Sequence, residues 1–121
     1  MKKTALFLLT FITMIHFANA AKNNQQPIRL AVAGMSHGHI SFILDRPDKG
    51  YFKLVGVYDT SRVVTQKRAD QFQLSSNLIY HDLETMLDEV KPEAVVAFGS
   101  IHAHLAVVEA CAPRGIDVMV E

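Results

Sequence analysis

The chain has 121 residues, of which 50% are hydrophobic and 20% charged, with equal numbers of acids and bases. A half-apolar composition at ordinary charge excludes wholesale disorder, and the single cysteine, Cys111, excludes an intramolecular disulfide scaffold or a multi-cysteine zinc site. The absence of a basic excess argues against nucleic acid as a partner, and one domain is the expectation at this length.

Met1, Lys2 and Lys3 open the chain, an uncharged and mainly apolar run extends from Thr4 to Phe17, and Ala18-Asn19-Ala20 ends it with small residues. This is the layout of a secretory signal peptide over residues 1–20. The apolar run is shorter than the about 20 residues that a membrane-spanning helix needs. The mature protein is therefore expected to be periplasmic or secreted, with no membrane anchor after signal cleavage. Cleavage removes two lysines and no acid, leaving the mature chain mildly acidic. Residues 21–27, polar and ending in Pro27, read as a flexible lead-in.

From Ile28 onward the pattern is regular. Ile28 to Ala33 is a short apolar run that stops at Gly34, as a buried strand would. His39 to Leu44 suits a short helix, ended by Pro47 and Gly50. Lys53 to Tyr58 is a second strand, closed by Asp59. Ser61 can cap a helix running to Phe72, with Val64, Ala69 and Phe72 facing inward. Asn77 to Tyr80 is a third strand. Asp82 caps a helix that carries Leu83, Met86, Leu87 and Val90 at helical spacing and is broken by Pro92. Ala94 to Phe98 is a fourth strand, His102 to Ala112 a helix stopped by Pro113 and Gly115, and Asp117 to Val120 a fifth strand.

Strands that are apolar on both faces and alternate with helices indicate an α/β fold, a Rossmann-type doubly wound parallel sheet. A strand order of 3-2-1-4-5 would open a crevice at the carboxyl ends of strands one and four, where such sheets bind ligands. The turn after strand one is Gly34-Met35-Ser36-His37-Gly38-His39. Gly34 permits the tight turn, and free amides at the following helix start suit a pyrophosphate. The dinucleotide fingerprint is imperfect, because Ser36 and His39 occupy its second and third glycine positions. Asp59 follows Gly38 by 21 residues, close to the spacing of an acid that binds the adenosine ribose. Its charge would repel a 2′-phosphate and so favours NAD; NADP would need Arg62 as a phosphate partner.

Six histidines include two His-x-His pairs, His37 with His39 and His102 with His104, both beside the crevice. Residues two apart on a helix do not share a face, and no cysteine or paired carboxylate joins them, so no metal site is expected. Cys111, within an apolar helical stretch, reads as a buried small hydrophobe.

Taken in chain order, several segments resemble the N-terminal nucleotide-binding domain of the Gfo/Idh/MocA oxidoreductases, the glucose–fructose oxidoreductase and inositol dehydrogenase group. They are Ala31-Val32-Ala33-Gly34, Leu54 to Asp59, Ile79 to Leu87, Pro92 to Val96, His104 as the last residue of a Thr-Pro-Asn-x-x-His motif, and Val118 to Glu121 as the approach to a Glu-Lys-Pro motif. The resemblance covers residues 28–121. It implies hydride transfer between NAD(P) and a sugar, polyol or derivative. Gly34, Ser36, His37 and Gly38 would face the pyrophosphate, Asp59 the ribose, and Ser100, His104 and Glu121 the nicotinamide end. Gly99-Ser100-Ile101 departs from the usual Thr-Pro-Asn. The lysine and proline expected after Glu121, and the substrate domain through which relatives dimerise, are not in this sequence. The chain is accordingly read as the N-terminal part of a longer, homo-oligomeric enzyme, with a sheet incomplete at its C-terminal end, no catalytic residue of its own and no activity alone. The alternatives are a non-catalytic Rossmann-fold binding protein, a relative that cleaves glycosides with tightly bound NAD, and a metal-dependent site using the His pairs.

Overall fold

Strands that are apolar on both faces need helices on both sides, and the chain supplies them. The computed structural model describes residues 26–46 and 50–121. The expected signal peptide, most of the lead-in and Pro47 lie outside the described residues. The elements are β1 (Ile28–Ala33), α1 (Ser41–Leu44), β2 (Phe52–Tyr58), α2 (Arg62–Phe72), β3 (Ile79–Tyr80), α3 (Leu83–Val90), β4 (Ala94–Ala97), α4 (Ile101–Cys111) and β5 (Asp117–Val120). The five strands form one sheet in the order β3-β2-β1-β4-β5, with every pair parallel. This is the expected Rossmann-type topology.

Alternation along each strand sends side chains to two separate cores. Leu30 and Val32 of β1 join Val96 and Phe98 under α1 and α2, together with Ile40, Leu44 and the half-buried Val64 and Phe72. Ala31 and Ala33 join Val95 and Ala97 on the other face, under Met86 and Leu87 of α3 and Val107, Ala110 and Cys111 of α4. Pairing between β1 and β2 slips by one residue between Leu30 and Ala31, so Ala31 sits opposite Gly56 rather than Val55. The extra residue explains how Leu54 and Val57, three apart, reach the same core.

Caps set the helix starts. Ser61 accepts from the Val64 amide at 3.3 Å, and Asp82 accepts from the Thr85 amide at 2.8 Å and the Thr85 hydroxyl at 2.6 Å. The Thr85 bonds hold the Asp82 carboxyl below the usual carboxylate range. Gln73 and Lys91 end α2 and α3 in the left-handed conformation. Thr65, buried on α2, returns its hydroxyl to the Ser61 carbonyl at 2.8 Å.

Two elements differ from the sequence expectation. The helix expected over 39–44 is a 3-10 turn at Gly38–Ile40 followed by a single α turn. The third strand is two residues long, pairing Ile79 and Tyr80 with Val57 and Tyr58 of β2, and a 3-10 turn at Ser76–Leu78 precedes it. At the other edge β5 is the outer strand among the described residues, with Met119 and Val120 exposed.

Leu87 is 1% exposed at the centre of the α3–α4 core. Leu87→Ala should cost about 2–5 kcal/mol, read as a lowered midpoint in urea denaturation. Burial pushes the Cys111 thiol up from its ordinary value. The native chain should therefore react slowly with a disulfide reagent and the unfolded chain at once; equal rates would place Cys111 outside the core.

Candidate functional site

The chain winds outward from β1 to β3 with α1 and α2 on one face, then returns through α3 to lay β4 on the opposite side of β1. The loops after β1 and β4 therefore leave in opposite directions, and the gap between them is the crevice. Gly34 turns the chain at φ +83°. A Cβ there would lie 2.5 Å from both Cα and N of Gly99, so the ends of β1 and β4 approach as closely as two glycines allow.

The turn is then fastened to the sheet. The Gly34 amide donates to the Tyr58 carbonyl at 2.7 Å, and the His37 amide to the Phe98 carbonyl at 3.0 Å. The Met35 amide donates to Asp59 Oδ2 at 2.7 Å, and the Met35 carbonyl accepts from Arg68 Nε at 3.0 Å. The Met35 side chain is wholly buried. The amides of Ser36 and Gly38 carry no such bond among the described residues.

Asp59 is 8% exposed, with Oδ2 on the Met35 amide and Oδ1 on the Ser61 amide at 2.8 Å. Its carbonyl contacts His81 Nδ1 at 3.1 Å and its amide donates to the Tyr80 carbonyl at 3.3 Å. Each carboxylate oxygen keeps a second lone pair for a further donor. The neighbouring Tyr58 hydroxyl is pushed above its ordinary value, first by burial and then by the charges of Asp59 and Asp82, so it remains a neutral phenol.

These groups line one cavity of about 240 Å³, which Gly34, Ser36, Asp59, Gly99, Ser100 and His104 share with Tyr58, Thr60, Ser61 and Val64. His104 Nε2 is buried there and makes no hydrogen bond among the described residues. A buried ring nitrogen on a cavity wall is placed to hydrogen-bond a polar group held in that cavity. The cavity thus joins Ser100 and His104 to Asp59. His37, Gly38, Arg62 and Glu121 are not among its lining residues. Arg62 is exposed at the first residue of α2. His37, His39 and Glu121 form a separate group, because His37 precedes the 3-10 turn in an extended conformation and the two rings do not diverge as they would on a helix.

The sequence reading gave no binding role to Gly99, Tyr58 or Arg68. Gly99 had a visible signal, a glycine directly after an apolar strand at the switch point. Arg68 had none, since its bond to Met35 spans 33 residues.

A parallel sheet with a glycine turn at its switch point and an acid after its second strand defines a Rossmann domain built for a dinucleotide. Residues 28–121 match the profile of an oxidoreductase family with an NAD-binding Rossmann fold, and the chain belongs to that family, the Gfo/Idh/MocA oxidoreductases.

Among solved structures it is similar to apo scyllo-inositol dehydrogenase from Lactobacillus casei, at 17% identity over 79% of this chain and 28% of that one, with a TM-score of 0.62. The WlbA dehydrogenase from Bordetella pertussis, in complex with NADH and UDP-GlcNAcA, gives 21% identity over 78% of this chain and 29% of that one, with a TM-score of 0.63. An oxidoreductase from Agrobacterium radiobacter, in complex with NAD+, L-tartaric acid and magnesium, gives 17%, 77%, 27% and 0.65 in the same order. Likeness at these identities is one of fold. The chain spans less than a third of the length of these structures. No curated protein matches it.

The residues present fit an NAD molecule. The Gly34–Gly99 approach leaves no side chain between the two strand ends, the Ser36 and Gly38 amides are available for phosphate oxygens, and Asp59 and His104 offer polar atoms to the sugar and base. Gly34→Ala places a Cβ against backbone at a positive φ. It should destabilise the fold by more than about 1 kcal/mol, measured by urea denaturation; an unchanged midpoint would show that the close approach is not required.

Proposed function

We propose that the chain is the cofactor-holding domain of an exported oxidoreductase acting on a sugar, polyol or derivative. The observation that carries this is the meeting, in one cavity at the switch point, of Gly34, the anchored carboxylate of Asp59 and the buried Nε2 of His104. The solved structures similar in fold include an inositol dehydrogenase and an enzyme crystallised with a UDP-sugar, which supports a hydroxyl-rich substrate. The signal-like segment at residues 1–20 supports export.

When bound, NAD supplies a ring carbon that accepts or returns hydride. The residues of this chain hold and orient it. The Ser36 amide, beside the cavity, would meet the pyrophosphate, with the Gly38 amide two residues further along the same turn and outside the cavity lining. Asp59, already fixed by two backbone donors, accepts from the ribose hydroxyls with its outer lone pairs. His104 Nε2, on the wall of the same cavity, would bond a polar group of the nucleotide. The groups that exchange protons with substrate are expected on a part of the enzyme beyond these residues.

NADH titration of the chain, followed by fluorescence or calorimetry, tests the reading. The unaltered chain should bind NADH, and Asp59→Ala should weaken binding by about tenfold or more, equivalent to ~1.4 kcal/mol. The same variant should lose less affinity for NADPH, because the carboxylate that repels a 2′-phosphate is gone. Equal losses for both nucleotides would reduce Asp59 to a purely structural staple, and no binding by the unaltered chain would refute the proposal.

A further inference from the structure

A second set of donor atoms lies outside the cavity, and its interpretation does not rest on the cofactor reading. His37 is extended, at φ −78° and ψ 144°, and the chain enters the 3-10 turn at Gly38. That change of conformation folds the His37 and His39 rings together, 4.8 Å between centroids and 77° between planes. Both rings turn Nδ1 toward Glu121. His39 Nδ1 contacts Oε1, and His37 Nδ1 stands 3.8 Å from Oε2. The candidate ligand atoms of all three residues lie within 4.8 Å of one another.

The geometry points to a binding site for a divalent transition-metal ion of the zinc, cobalt and nickel class, with His37 Nδ1, His39 Nδ1 and a Glu121 oxygen as its protein ligands. Two neutral imidazoles and a carboxylate form a nitrogen–oxygen set suited to these ions. The separation of 3.8 Å between His37 and Glu121 is too long for a hydrogen bond. It is near the about 3.3 Å that separates ligands around a tetrahedral ion with bonds of about 2.0 Å. The widest gap in the group therefore has to close by at most about 1.5 Å, within the reach of side-chain rotation at three exposed residues.

The backbone that carries the ligands is already fixed. The His37 amide hangs from the Phe98 carbonyl and the Glu121 amide from the Ala97 carbonyl, consecutive residues at the end of β4. Phe42 stacks on the His39 ring, with centroids 5.2 Å apart and planes 24° from parallel, and limits its rotation. The side chains of His37, His39 and Glu121 are 48%, 53% and 36% exposed, which leaves the remaining coordination positions to water. Three protein ligands with an open face are the arrangement of a reactive rather than a purely structural metal centre.

The test is binding of Zn²⁺ and Co²⁺ to the full chain without nucleotide, by calorimetry and by the visible absorption of coordinated Co²⁺. One ion per chain should bind. Affinity should fall at least about tenfold in Glu121→Gln and beyond detection in the double variant His37→Ala/His39→Ala, with circular dichroism unchanged because all three side chains are exposed. His102→Ala, exposed on α4, should bind as the parent does. Absence of binding by the parent overturns the proposal. So does binding that survives in the double variant, or a loss in His102→Ala as large as that in the double variant. Because the readout contains no nucleotide, its failure leaves the NAD reading standing, and failure of NADH binding leaves this site standing.

Discussion

The site depends on the carboxylate of Asp59. It sits at the end of β2, almost out of water, and spends one oxygen on the Met35 amide and the other on the Ser61 amide. One side chain thereby ties the turn after β1 to the start of α2. A buried carboxylate is costly unless its lone pairs are occupied, and bonds from backbone amides to a charged acceptor are among the stronger ones. The same bonds decide which way Met35 faces. With its amide on Asp59 and its carbonyl on Arg68, its side chain goes into the core, while the Ser36 and Gly38 amides make no backbone bond among the described residues. Charge, packing and phosphate recognition are joined through one residue.

The second constraint is steric. Gly34 and Gly99 let the ends of β1 and β4 approach until any side chain at Gly34 would collide with backbone. The cavity lies where two loops part, and the separation of the two cores by the sheet makes them part. Ala31, Ala33 and Ala97 lie on the face covered by α3 and α4, while the larger Leu30, Val32, Val96 and Phe98 serve the other face. Small residues allow the helices to pack close to the strands, and that packing brings His104 of α4 over the crevice.

Much of this was readable from the residues. The strands were, because a sheet buried on both faces needs uninterrupted apolar runs, as in Ala94 to Phe98. The strand order followed from the alternation of elements, and the place of Asp59 from its spacing to the glycine turn. What escaped depends on non-local bonds or on turn geometry. The short α1 could not be foreseen as a 3-10 turn plus one helical turn, since the Met35 and His37 amides are committed to Asp59 and Phe98 far along the chain. The convergence of His37 and His39 depends on that same turn, because helical spacing would send the rings apart. His104 stood beside the crevice already in the sequence, at the end of a Thr-Pro-Asn-x-x-His-like segment, and the structure puts it in one cavity with Asp59.

The outer strand carries a consequence of a different kind. Among the described residues β5 pairs with β4 alone, and Met119 and Val120 are exposed on it. Its free side offers a row of unused backbone donors and acceptors beside greasy side chains, the conditions under which sheets from separate molecules zip together. An edge of this kind can extend a sheet by adding a strand along it, so the fold places its point of possible growth on the β5 side, away from the loops that form the cavity.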